Sequence, residues 1–87
     1  MSSFRPARKL VAPDGHEWEV YVSRTLVRRS RPRTVRIEAV TFYPHRETLR
    51  WTTTVDHADR VLHQISAGLE AGDVVRPLGA VFVGANG

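Results

Sequence analysis

Between two strand-like runs, Arg8–Ala12 and His16–Val22, the chain carries Ala12-Pro13-Asp14-Gly15, a turn with a reason at each position. Proline presets φ at the first central position, aspartate tolerates the second, and glycine accepts the left-handed conformation that follows. Gly15 then forms a bulge where the second strand begins. In that strand Trp18, Val20 and Val22 alternate with Glu17, Glu19 and Tyr21, the period of a sheet with one buried face. Residues 8–22 therefore specify a β-hairpin.

A second hairpin follows at "TVRIEAVTFYPHRETLRWTTTV". β-Branched and aromatic residues predict a third strand over Thr34–Tyr43 and a fourth over Thr48–Val55. The fourth has an unambiguous inner set: Leu49, Trp51, Thr53 and Val55. The third offers two sets. Val35, Ile37, Ala39, Thr41 and Tyr43 alternate with Arg36, Glu38, Val40 and Phe42. A slip of one residue exchanges them. The first set keeps Arg36 and Glu38 off the core and is expected to join Trp51, which requires an odd-length connection or a bulge around Pro44–Glu47.

The stretch "DHADRVLHQISAGLEAGD" predicts a helix over His57–Ala71. Asp56 suits the N-cap and Asp59 the first turn, where negative charge complements the helix dipole. Ala58, Val61, Leu62, Ile65 and Leu69 form one apolar stripe, and Gly72 suits the position after the C-cap. A fifth strand is expected over Leu78–Val83. The fold class is α+β, with a four- to five-stranded, mainly antiparallel sheet of two hairpins and one helix on one face, in the order β-β-β-β-α-β. With 87 residues there is room for one domain, expected over residues 8–83, flanked by flexible tails at 1–7 and 84–87. A chain of this length buries roughly 60–65% of the surface its unfolded form exposes.

Residues 24–33 break the strand pattern and read as a loop of about ten residues, long for a compact domain. "SRTLVRRSRPRTVR", Ser23–Arg36, holds six arginines and no acid. Formal net charge is +4, which favours polyanion partners through long-range attraction. Arginine outnumbers lysine twelve to one, a ratio that a GC-rich genome produces whatever the function, so the placement of the arginines carries more weight than their number. Arg24, Arg28, Arg29, Arg31, Arg33, Arg36 and Arg50 are the candidate nucleic-acid contacts, acting on phosphates. Phe42, if it faces outward beside Arg36 and Arg50, would add a stacking surface.

Other chemistry is not indicated. The chain has no cysteine, which excludes disulfides, thiolate metal sites and a cysteine nucleophile. His16, His45, His57 and His63 lack metal-ligand spacing, and Ser23, Ser30 and Ser66 lack a nucleophile context. No phosphate-binding glycine loop occurs. Glu17, Glu19, Glu38 and Glu47 stand near arginines, where surface pairing accounts for them. No apolar run approaches the roughly 18 residues of a membrane span, and "MSSFRPARKL" has no apolar segment behind its charges. The expectation is a cytoplasmic, non-enzymatic binding module without cofactor, metal, membrane or small-molecule substrate. Its expected partner is DNA or RNA; the alternative is a protein–protein or homodimerisation module.

Overall fold

The computed structural model describes residues 5–24, 34–43, 45–73 and 76–86. β1 (Arg8–Val11) and β2 (Glu17–Arg24) form the first hairpin. Its turn is the one written in the sequence. The Gly15 N–H donates to the Ala12 carbonyl at 2.9 Å, the Ala12 N–H donates to the His16 carbonyl at 2.8 Å, and Gly15 sits at φ +90°. Asp14 adds a side-chain clasp: one carboxylate oxygen accepts the His16 N–H at 3.0 Å, and the other lies 2.6 Å from His16 Nδ1. The His16 backbone N–H is the main reason that the Asp14 carboxyl is held below its ordinary pKa. Pairing reaches past the start of β1, since the Ala7 N–H donates to the Val20 carbonyl at 2.7 Å.

β3 (Thr34–Thr41) pairs with β2 on one side and with β4 (Glu47–Thr54) on the other, and β4 pairs with β5 (Ala80–Asn86). All four ladders are antiparallel, giving a five-stranded sheet in the order β1-β2-β3-β4-β5. The β3–β4 register resolves the choice of inner face. Thr41 pairs with Glu47 across residues 42–46, an odd-length connection, so Ile37 stands opposite Trp51 and Ala39 opposite Leu49. Val35, Ile37, Ala39 and Thr41 are accordingly buried, and Arg36 is exposed on the other face. Tyr43 does not follow this set inward; it lies beyond the last pair and is exposed.

α1 (Ala58–Glu70) covers the inner face with Val61, Ile65 and Leu69, packed against Leu10, Trp18, Val20 and Trp51, while Ala58 and Leu62 rest at the margin. The helix ends as the glycine requires. Gly72 lies at φ +86°, its N–H donates to the Leu69 carbonyl, and the Asp73 N–H reaches back to the Gly68 carbonyl at 2.9 Å, the paired bonds of a Schellman motif.

The helix start departs from the sequence expectation. A 3-10 turn, Val55–His57, precedes α1, so the N-cap is His57 and not Asp56, and it makes no side-chain cap bond. Thr54 Oγ1 and His57 Nδ1 lie 2.7 Å apart and close the turn directly after β4. Val55 therefore leaves the sheet and is partly exposed instead of pointing into the core.

β5 also starts and ends later than expected. The Ala80 N–H donates to the Pro77 carbonyl, Gly79 sits at φ +87°, and Thr53 Oγ1 donates to the Gly79 carbonyl at 2.7 Å. This turn holds Leu78 outside the strand, exposed. Residues 84–86, expected as tail, pair with Arg50, Leu49 and Thr48 after a bulge opposite Arg50/Trp51.

Candidate nucleic-acid interface

With α1 on one face, the other face of the sheet is open. Register places its side chains in rows across the strands: Lys9, Glu19, Val40 and Thr48; then Tyr21, Glu38 and Arg50; then Ser23, Arg36 and Thr52. The last row lies at the end where β2 stops and β3 starts. Arg24 is paired there with Val35, so the chain that joins the two strands leaves and returns at this end. β2 is thus longer than expected, since Arg24 belongs to the ladder and not to the loop. Arg28, Arg29, Arg31 and Arg33 lie outside the described residues.

Arg36 is exposed on the open face and has no ion pair among the described residues. Arg50 lies diagonal to it on β4, a spacing of about 7–8 Å between such neighbours. The two therefore share a patch. Their charges are not equally free, however: Arg50 Nε donates to Glu38 Oε2 at 2.7 Å, with both side chains partly exposed. A pair of this kind contributes about 0.2–1 kcal/mol to stability and leaves little net field.

The acids are unevenly placed. Asp14, Glu17, Glu47 and Asp73 stand at the opposite end of the sheet, by the Pro13–Asp14 turn, the β3–β4 connection and the helix C-terminus. Glu19 is occupied by the Tyr21 hydroxyl, which donates to it, and that bond holds the Tyr21 phenol above its ordinary pKa. Asp56 and Asp59 are at the arginine end but belong to the helical layer, not to the open face. By register only Glu17 and Glu19 put carboxylates on the open face toward the turn end, beside Lys9. Glu47 shares the inner face with Thr41 and lies with Asp14 and Asp73 near the helix C-terminus. At the other end of the open face Arg36 stands between Ser23 and Thr52, with no carboxylate directly opposite it.

Phe42 is exposed, but it does not stack beside Arg36 or Arg50. Six residues of extended chain, about 20 Å, separate it from Arg36. Its neighbouring cation is Arg46, whose guanidinium carbon lies 5.9 Å from the ring centroid. Sequence reasoning overlooked three arginines that the fold employs. Besides Arg46, Arg76 lies over the Phe82 ring at 5.6 Å, and Arg60 Nη2 donates to the Leu78 carbonyl at 3.2 Å. Arg60 follows Asp56 by one helical turn, a hint of its position on the exposed face, but nothing local foretells the loop carbonyl it reaches.

No group of three or more His, Cys, Asp or Glu able to hold a metal ion occurs among the described residues, and no described helix is long and apolar enough to cross a membrane. Comparison with protein-family models, with curated proteins and with solved structures finds no match to this chain.

Proposed function

We propose that this chain is a small non-catalytic module that binds a polyanion, DNA or RNA, through the arginine segment between β2 and β3, with Arg36 at its margin. The observation that supports this reading most is the segregation of charge. Six arginines and no acid fall between Ser23 and Arg36 in the sequence, Glu17 stands at the opposite end of β2 from Arg24, and Glu38 is matched by Arg50. A phosphate backbone approaching this end meets cations without a compensating carboxylate on the open face. Phosphate contacts of this kind position a nucleic acid without reading its sequence. Arg24, Arg28, Arg29, Arg31, Arg33 and Arg36 would supply the contacts; Arg50 would contribute less, because binding would have to compete with Glu38.

The test is a titration of labelled mixed-sequence DNA and RNA by fluorescence anisotropy over a range of salt. Each neutralised phosphate lowers log K by about 0.7–0.9 per unit of log salt. Changing Arg28, Arg29, Arg31 and Arg33 together to serine should flatten that slope by about 3 and weaken binding to all sequences alike. Absence of binding by the unaltered chain at low salt would end the polyanion reading. Binding that the fourfold variant retains would show that the site lies elsewhere.

A further inference from the structure

The sheet ends in two unlike edges. β1 is four residues long, carries Arg8 and Lys9, and follows Pro6, which has no N–H to donate. Short, charged, proline-flanked strands resist further pairing. β5 is seven residues long, AVFVGAN, with neither a charge nor a proline. Seven large apolar side chains are well exposed among the described residues, and three of them, Leu78, Val81 and Val83, lie on or directly before this strand at 84%, 68% and 60%. β5 pairs with β4 on one side, and along the other side of Ala80–Phe82 the alternate backbone N–H and C=O groups meet no described strand.

We propose that this edge is a self-association surface, on which β5 pairs antiparallel with β5 of a second copy across a two-fold axis and joins two five-stranded sheets into one of ten strands. The choice of a second copy rests on charge. A two-fold contact sets a surface against itself, so any charge it carries meets its own sign. β1 would oppose Arg8 and Lys9 to another Arg8 and Lys9. β5 itself carries no charge, the cation beside it, Arg76, being held over the Phe82 ring, and its β-branched valines suit cross-strand pairing. The bulge beside Val83 adds local twist, but Ala80, Val81 and Phe82 keep regular pairing with Thr53, Thr52 and Trp51. The axis therefore falls within Ala80–Phe82, with the Val81 side chains of the two copies close to it. The association does not depend on the arginine segment, which joins different strands.

Sedimentation equilibrium of the full chain from micromolar to submillimolar concentration tests this. The expected mass is twice 9.8 kDa. Val81→Lys, at a site already exposed, should return the mass to that of the monomer while the far-UV circular dichroism stays that of the folded chain. Val11→Lys, on the opposite edge, should leave the doubled mass unchanged. Because the chain has no cysteine, Val81→Cys gives a second readout: mild oxidation should yield a disulfide-linked dimer in a majority of the protein, and Val11→Cys should not. A chain that stays monomeric throughout, a mass that climbs beyond twofold, or a dimer that Val81→Lys leaves intact would each overturn the proposal.

Discussion

Trp51 stands at the centre of the sheet, and its removal is the most demanding test of the core. The side chain is fully buried, lies opposite Ile37 on one side and Phe82 on the other, and meets the Phe82 ring at 5.7 Å with a 60° tilt. A tryptophan buries about 150–250 Å². At about 25 cal/mol per Å² this corresponds to roughly 4–6 kcal/mol, of which an alanine in its place retains a part. Substitutions of buried aromatic residues by alanine cost about 3–5 kcal/mol, in keeping with that range. A chain of this length has a total stability of roughly 4–13 kcal/mol, so Trp51→Ala should leave the domain marginal or unfolded at room temperature. If it still folds, its melting temperature should fall by about 4–8 °C for each kcal/mol lost. Urea unfolding followed by far-UV circular dichroism measures this without relying on the fluorophore that is removed. Tyr43→Ala serves as the control: its ring is exposed, and the change should stay within about 0.5 kcal/mol. A Trp51→Ala midpoint equal to that of the unaltered chain, or a Tyr43→Ala loss as large as that of Trp51→Ala, would refute the placement of the core.

Thr41 Oγ1 is buried without a hydrogen-bond partner among the described residues, so Thr41→Val, which replaces the hydroxyl by a methyl group, should raise stability by about 1 kcal/mol in the same urea assay. Gly72→Ala and Gly79→Ala both force a side chain into the left-handed region, which costs about 1–2 kcal/mol. Gly79→Ala should cost more in thermal melts, because its Cβ would lie 3.0 Å from Arg60 Nη2 and 3.2 Å from the His57 ring, whereas at Gly72 the nearest atoms belong to Pro13 at an ordinary 3.5 Å. The Tyr21 phenol is held above its ordinary value of 10.0 by the bond to Glu19, so the stabilisation from that bond is complete below pH 10 and is lost as pH rises through the raised value. Ultraviolet titration of Tyr21 should therefore move down toward pH 10 in Glu19→Gln.

Local chemistry by itself determined the first hairpin, the helix stripe and the helix stop. A proline, an aspartate and a glycine in that order admit few turns, and a glycine after the last apolar position ends a helix for steric reasons that operate within a few residues. Even the face of β3 was legible, because burying Arg36 and Glu38 would have been costly and the odd-length connection at residues 42–46 followed from it. Tertiary structure decided what depends on meetings between distant segments. Asp56 is a good N-cap in isolation, but pairing with the distant Thr34 carries β4 to Thr54, and the 3-10 turn that follows, closed by the local Thr54–His57 contact, puts the helix start beyond Asp56. Leu78 reads as strand, but the hydroxyl of Thr53 captures the Gly79 carbonyl and delays β5, which then runs on to Asn86 because β4 offers partners as far as Thr48. Arg50 and Glu38 are twelve residues apart, and only the β3–β4 register brings them to 2.7 Å, turning a candidate phosphate contact into half of an ion pair. The hairpin turn and the helix stop are short-range and are therefore written where they act; registers, ion pairs, strand ends and the helix start that follows one of them are settled by the partner strand, which a local reading of the chain does not contain.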